Sequence, residues 1–217
     1  MMEFYMRKQR KTKIALPLIA LFLFALWTFL LTVVDVQPVG QLGTNVGFAS
    51  LNLRFHEMTG VNLYLYTLTD ILGLVPILIC VLFAFVGVIQ LLKRKSIKLV
   101  DRDILFLGAF YLFVIFTFVG FEFLAVNYRP ILIEGQLEAS YPSSTTMLVL
   151  CVLPTAFMQI KRRIKNRFIS VILIFWGSVF ALFMLIARVL SGVHWITDII
   201  GGVIFSIGAV GLYHSVT

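Results

Sequence analysis

Six apolar stretches of about 20 residues each decide what this chain of 217 residues can fold into. An α-helix needs about that length to cross a bilayer, and few charges interrupt any of the stretches. Hydrophobic residues make up 60% of the sequence, which is typical of membrane proteins. We therefore predict an all-α polytopic membrane protein that forms a single membrane domain over residues 1–217. The six predicted spans are 14–34, 71–92, 104–126, 143–160, 168–188 and 194–213.

The basic residues predict how the spans are oriented. Fifteen of the 18 lysines and arginines lie in the first 13 residues or in the loops after the second and fourth spans. The positive-inside rule places those segments, and with six spans both termini, in the cytoplasm. Cytoplasmic termini and the absence of a targeting signal predict a plasma (inner) membrane, with a eukaryotic internal membrane as the alternative. The net charge of +8 then indicates membrane lipids as partners, not nucleic acid, because aromatic residues do not alternate with the basic ones.

Two outer loops and one outer turn remain on the opposite side. The first loop, 35–70, is apolar and aromatic over 51–68, which predicts a helix lying in the membrane interface. The second loop is 127–142, and the turn joins the last two spans. Only three basic residues fall on this side, namely Arg54, Arg129 and Arg188.

The turn carries the most informative spacing in the chain, Arg188-x5-His194-x3-Asp198. Ionisable residues are costly at the edge of a span, so they indicate a functional site. On one helix, His194 and Asp198 would share a face, and the carboxylate would hold one imidazole nitrogen and leave the other free to attack. The guanidinium of Arg188 has the geometry to bind two phosphoryl oxygens.

Two further segments are predicted to meet this turn. Arg129 precedes Pro130 in the second outer loop, and the fourth span opens with Ser143, Ser144 and Thr145. Hydroxyl groups beside the free amide N–H groups of a helix N-terminus form an anion site. Two arginines beside that site would stabilise the charge of a phosphoryl group during its transfer.

These segments resemble the type 2 phosphatidic acid phosphatase superfamily, the integral-membrane lipid phosphatases related to vanadium haloperoxidases. Its signatures are Lys-x6-Arg-Pro, Pro-Ser-Gly-His and Ser-Arg-x5-His-x3-Asp, and the resemblance spans about 50–215. It implies a six-helix core with the site at the membrane surface. It also implies that His194 is a nucleophile that becomes a phosphohistidine and that Asp198 orients it. The implied phosphate-binding residues are Arg129, Ser143, Ser144, Thr145 and Arg188, with no metal and no cofactor.

The chain departs from these signatures at positions that matter for catalysis. Glu122 stands where the family has lysine, Ser144 where it has glycine, Thr145 where it has the histidine that protonates the leaving group, and Ala187 where it has serine. A threonine hydroxyl is too weak an acid for that task, and general acid catalysis contributes about 10²–10⁴ in rate. A lipid diphosphate such as a polyprenyl diphosphate would tolerate this loss, because its leaving group is already a stable anion.

Two other residues are candidates for the missing acid. Glu122 lies near the outer end of the third span, where apolar surroundings would keep its carboxyl protonated; alternatively, it pairs with an arginine such as Arg129. His56 in the first outer loop is the second candidate, or else a solvated interfacial residue.

Two functions are consistent with these residues. The first is a lipid phosphatase that hydrolyses a lipid (di)phosphate at the outer membrane face. The alternative is a catalytically degenerate family member that binds or transports a lipid phosphate, although binding alone needs no oriented histidine. The sequence does not indicate an oligomeric state.

Overall fold

The computed structural model describes residues 2–217, with side chains from Lys13 onward. Within that range the chain forms eight α-helices and two short 3₁₀ turns. The helices are α1 (Met2–Val33), α2 (Ala49–Thr59), α3 (Leu63–Leu72), α4 (Leu74–Arg94), α5 (Arg102–Leu124), α6 (Ser144–Arg163), α7 (Arg167–Leu190) and α8 (Ile196–Val216).

The six predicted spans are confirmed as long apolar helices in the described part of the chain. Five of them are single helices, and the other, Leu63–Arg94, joins α3 and α4 across a break at Gly73. This span begins eight residues earlier than predicted, because α3 is itself largely apolar and is followed directly by α4.

The helix predicted over 51–68 in the first outer loop is wrong in its extent. Two helices occupy this region, because Gly60 ends α2 with a φ of +62° and Asn62 caps the start of α3 by accepting a hydrogen bond from the Leu65 N–H. The buried Asn52 fixes α2 to the first turn of α8 by donating from Nδ2 to Thr197 Oγ1 (3.0 Å).

Helices α6 and α8 form the centre of the bundle, and each is more than half buried. α8 also packs along α1, and α6 packs against α7. Close approach depends on glycine in α8, because a Cβ atom at Gly201 would lie 2.4 Å from the ring of Tyr141. The Tyr141 ring thus rests directly on the α8 backbone, and its hydroxyl lies 2.7 Å from Thr28 Oγ1 on α1. This contact fixes the end of the second outer loop against the bundle.

Ion pairs join the two basic loops at one end of the bundle. Arg163 contacts Asp101 (3.1 Å) and Asp103 (2.9 Å), and Arg94 contacts Asp101 (2.7 Å). Hydrogen bonds from Arg94, and then from Gln90 and Arg163, lower the pKa of Asp101 to about 2. The loops that the charge pattern assigned to one side therefore lie together, at the end of the bundle where α7 begins.

Candidate active site

A tight turn at the other end of α7 presents His194. Gly192 in this turn has a φ of +65°, and a Cβ atom there would lie 1.9 Å from the carbonyl oxygen of Gly60, so the position requires glycine. Trp195 is the N-cap of α8, which leaves His194 outside the helix. The prediction that His194 and Asp198 share one helical face is therefore wrong, because the helix starts after the histidine.

Ser140 stands between His194 and Asp198. Nδ1 of His194 lies 3.0 Å from Ser140 Oγ and 3.1 Å from the Ser140 carbonyl oxygen, but 3.9 Å from Asp198 Oδ2. Ser140 donates its single hydroxyl proton to Asp198 Oδ2, so its Oγ faces Nδ1 only as an acceptor, and the Nδ1–H group is shared between Ser140 Oγ and the Ser140 carbonyl oxygen. The predicted direct hydrogen bond is thus replaced by a bridge through Ser140.

The second ring nitrogen of His194 faces two arginines. Nη1 of Arg129 and Nη2 of Arg188 each lie 3.3 Å from Nε2. Because a guanidinium only donates hydrogen bonds, Nε2 must carry a lone pair. Burial lowers the pKa of His194 well below its ordinary value, and the charges of Arg129 and Arg188 lower it further. His194 is therefore a neutral imidazole whose free nitrogen points at a cationic pair.

The carboxylate of Asp198 is fully buried and held by three donors. Besides the Ser140 hydroxyl, the Asn127 side chain donates to Oδ1 (3.2 Å) and the Trp195 N–H donates to Oδ2 (3.0 Å). These contacts fix Asp198 and, through Ser140, the plane of the imidazole ring.

The second outer loop folds back on itself and brings two of these residues together. Arg129 donates its N–H to the Glu138 carbonyl (3.0 Å), and Ser140 donates its N–H to the Asn127 carbonyl (2.8 Å), as in an antiparallel pair. Arg129 and Ser140 lie eleven residues apart in sequence, yet both reach His194. The Trp195 indole N–H fixes the loop by donating to the Tyr128 carbonyl (2.8 Å).

Glu138 is the carboxylate partner of Arg129. Its Oε2 lies 2.9 Å from Arg129 Nε, an ion pair without hydrogen-bond alignment. The alternative prediction, that Glu122 pairs with an arginine such as Arg129, is wrong, because Glu122 makes no ion pair among the described side chains.

A cavity of about 250 Å³ opens beside His194. Of the predicted phosphate-binding residues, Arg129 and Ser144 line it. Ser143 is buried beside it, where its Oγ accepts from Thr146 (3.0 Å), and Thr145 is largely buried too. Glu122 and Glu138 are among its other lining residues, together with Phe118, Ala139, Ser140, Tyr141 and Pro142.

The first turn of α6 adds amide donors to this region. α6 begins at Ser144, and the N–H groups of a first helical turn have no acceptor within the helix. Such groups favour an anion. The cavity thus combines a neutral histidine, the guanidinium of Arg129, a serine hydroxyl and a helix N-terminus, and Arg188 contacts His194 Nε2 from outside the cavity lining.

Comparison with known proteins decides the family. The model of the PAP2 superfamily matches residues 78–217, more than half of the chain. The chain belongs to the PAP2 superfamily. It is thus a multi-pass membrane protein of the lipid phosphatase class.

A solved structure has the same fold. It is the crystal structure of a transmembrane PAP2 type phosphatidylglycerolphosphate phosphatase from Bacillus subtilis, which is 19% identical to this chain with a TM-score of 0.60. The match covers 92% of this chain and 93% of the other. The curated proteins contain no significant match to this sequence.

Two of the four departures from the PAP2 signatures, Glu122 and Thr145, occupy different places. Glu122, at the position of the family lysine, lines the cavity that contains His194. Thr145, at the position of the histidine in the Pro-Ser-Gly-His signature, is 8% exposed and is not among the described residues that line this cavity. A proton donor for the PAP2 reaction is therefore better placed at residue 122 than at residue 145.

His56 lies on another side of His194. Its ring packs edge-on against Trp195, with ring centroids 5.5 Å apart, and it shares with His194 a small pocket of about 10 Å³. Burial lowers the pKa of His56, which favours the neutral ring. A neutral histidine is not a proton donor of the strength that the imidazolium of a PAP2 signature would supply.

Ser140 is a positioning residue that the PAP2 signatures do not contain, and its replacement tests its role. We expect Ser140→Ala to lower kcat by about 10- to 100-fold with little change in KM, because the hydrogen bond to a charged carboxylate is lost while the backbone carbonyl still holds Nδ1. Steady-state kinetics on a lipid phosphate would measure this. Ser206→Ala, at a buried serine bonded to the Gly202 carbonyl, is the matched control. Equal kcat in both variants would contradict the role of Ser140.

Proposed function

We propose that this PAP2 protein hydrolyses a lipid (di)phosphate through a phosphohistidine formed on His194. One observation carries the proposal: the unprotonated Nε2 of His194 lies 3.3 Å from guanidinium nitrogens of both Arg129 and Arg188, beside a cavity. A nucleophile with its lone pair aimed between two cations is suited to attack an anionic phosphoryl group.

The proposed reaction has two steps. In the first, Nε2 attacks phosphorus, the N–P bond forms, and the P–O bond to the lipid breaks with its electron pair on the leaving oxygen. Asp198, acting through Ser140, stabilises the positive charge that the ring acquires. In the second step, water attacks phosphorus, the N–P bond breaks, the proton of the water passes to solvent, and inorganic phosphate leaves.

The phosphoryl oxygens would be held by groups in the cavity or directly beside it. Arg129 and Ser144, which line the cavity, would supply a guanidinium and a hydroxyl group. Arg188, which is buried next to the lining, would supply a second guanidinium from beside His194 Nε2. Ser143 and Thr145 would contribute through the backbone of the α6 N-terminus, since their side chains are buried beside it. These donors would stabilise the charge of the transition state without rearrangement.

Glu122 is the proposed source of the proton for a leaving alkoxide. Its carboxyl group lines the cavity, makes no ion pair among the described side chains, and would have to be protonated to act as the acid. A protonated Glu122 would also remove a negative charge from beside the phosphate.

The change Glu122→Gln tests this role, because glutamine keeps the shape of the side chain and cannot release a proton. We expect turnover of a lipid monophosphate to fall by about 10²–10⁴-fold, the usual contribution of a general acid. Glu134→Gln, at an exposed glutamate in the loop that follows α5, is the control. Wild-type turnover in the Glu122→Gln variant would remove the acid role.

We further propose that the substrate is a lipid diphosphate such as a polyprenyl diphosphate. The leaving group is then a phosphate monoester, which departs as an anion without a strong acid, and the absence of histidine at residue 145 has little cost. The test compares phosphate release from three lipids: a polyprenyl diphosphate, the matching monophosphate and phosphatidic acid. Equal or faster turnover of the monophosphate would contradict the diphosphate preference.

The same measurement separates the enzyme from a binding or transport protein. The replacement of the family lysine and histidine by Glu122 and Thr145 is the observation that favours a degenerate member. Wild-type protein that binds a lipid phosphate and releases no phosphate from any of the three lipids would support that alternative and overturn the proposed hydrolysis.

We also propose that the site faces the outer side of the plasma membrane, with both termini in the cytoplasm. The joined basic loops lie at one end of α7, and His194 lies just beyond its other end. A cysteine introduced at Glu134 should react with a membrane-impermeant maleimide in intact cells, and one at Lys165 should not. The reverse labelling pattern would overturn this orientation.

A further inference from the structure

Helix α3 (Leu63–Leu72) contributes two side chains to the arginine pair, although it lies outside the segment that matches the PAP2 family model. The ring of Tyr66 lies 5.0 Å from the guanidinium carbon of Arg188 and 5.8 Å from that of Arg129. One turn later, Thr69 Oγ1 accepts a hydrogen bond from Arg188 Nη1 (3.1 Å). Residues three apart on a helix share a face, so Tyr66 and Thr69 act from the same side.

The two arginines need such support because they carry like charges at close range. Both guanidinium groups donate toward one atom, Nε2 of His194, and Arg188 is 99% buried. Glu138 pairs with Arg129, whereas Arg188 has no carboxylate within ion-pair distance among the described residues. The face of an aromatic ring attracts cations within about 6 Å of its centroid, and both guanidinium groups meet that condition at Tyr66.

Thr69 is arranged to accept from Arg188. Its hydroxyl proton is engaged by the backbone carbonyls of Leu65 (2.8 Å) and Tyr66 (2.9 Å), so only its lone pairs are available to the guanidinium. Thr69 is fully buried, which leaves water no access to this contact. Arg188 is thus held at Nη1 while Nη2 faces His194.

The start of α3 is fixed to the end of α7, where Arg188 lies. Asn62 caps α3 with its side chain and donates its backbone N–H to the Ser191 carbonyl (2.9 Å). The carbonyl of Gly60 packs against Gly192 in the turn before His194. The aromatic ring and the arginine it covers are therefore parts of one packed unit.

We propose that Tyr66 and Thr69 are positioning residues that hold Arg188 and Arg129 in the geometry needed to bind phosphate. The inference rests on the proposed function, since it assigns these arginines to the phosphoryl group. It extends the site to a helix that precedes the matched family segment.

Orthovanadate, a phosphate analogue, provides a test that does not depend on turnover. Calorimetric titration of the full-length protein in detergent should show about tenfold weaker orthovanadate binding for Tyr66→Leu, because the attraction of the ring for both cations is lost. Tyr66→Phe, which keeps the ring, should bind within about twofold of wild type. Tyr64→Leu, at a tyrosine of the same helix that is 77% exposed, is the matched control. Unchanged binding in Tyr66→Leu, or an equal loss in Tyr66→Phe, would overturn the role of the ring.

A second pair of variants keeps the proposal testable if Tyr66→Leu does not fold. Thr69→Val removes the acceptor at nearly constant volume, and Thr69→Ser restores it, so orthovanadate binding should weaken about tenfold in the first and recover in the second. Equal binding in both would overturn the role of Thr69. Wild-type protein that binds orthovanadate but releases no phosphate would contradict the proposed hydrolysis, while the ranking of these variants would still decide the role of α3.

Discussion

Replacement of His194 by alanine is expected to lower phosphate release by about 10⁴-fold or more. The imidazole Nε2 carries a free lone pair that faces the two arginines. Removal of a nucleophile typically lowers the rate by at least this factor. The fall should appear in kcat, because Arg129, Arg188 and the α6 N-terminus would still bind the phosphate. Initial rates of phosphate release from a lipid diphosphate would measure it.

The intermediate itself gives a second readout of the same change. Wild-type protein mixed with labelled lipid phosphate and quenched in alkali should retain label on histidine, since phosphohistidine survives alkali and is lost in acid. The His194→Ala variant should retain none, and His214→Ala, at an exposed histidine near the chain end, should behave as wild type. Label retained by His194→Ala, or release within tenfold of wild type, would contradict the proposed nucleophile.

The length and spacing of local patterns explain what could be predicted from the sequence. A stretch of about 20 apolar residues has few alternatives to a membrane span, and all six predicted spans are helices in the described chain. The grouping of Arg188, His194 and Asp198 could also be predicted from a local pattern, because the three residues lie within a segment of eleven positions.

Contacts that depend on loop register could not be predicted in this way. Ser140 reaches His194 because the loop 127–142 pairs with itself, and no periodic pattern in that loop indicates which residues will face each other. The same pairing aligns Glu138, and not Glu122, with Arg129. The contact between Tyr66 and Arg188 could not be predicted for another reason, because it depends on how α3 packs against α7.

The helix boundary at His194 shows how one backbone feature changes a chemical expectation. A spacing of four residues would bring an imidazole and a carboxylate together on a helix. Here Gly192 turns the chain and Trp195 caps α8, so the histidine lies outside the helix and Ser140 fills the gap to Asp198. The orienting role assigned to Asp198 is therefore proposed to act through a hydroxyl group.

Substitution of Arg188 by lysine is expected to lower kcat/KM by about 10²–10³-fold even though the positive charge is kept. The guanidinium of Arg188 donates from Nη1 to Thr69 and from Nη2 toward His194, and a single ammonium group cannot occupy both positions. The loss should resemble that of one transition-state donor in other enzymes. Kinetics on the preferred lipid, together with orthovanadate titration, would measure the effect on turnover and on binding separately.

Arg54→Lys provides the matched control, because Arg54 is an exposed arginine on the same predicted side of the membrane. A thermal unfolding midpoint for each variant would show whether the buried lysine has disturbed the fold. If a folded Arg188→Lys protein retains activity within about fivefold of wild type, then positive charge alone suffices at this position. The proposal that Arg188 acts through directional hydrogen-bond donors would then be contradicted. The proposed role of Tyr66 and Thr69 in holding its guanidinium would be contradicted with it.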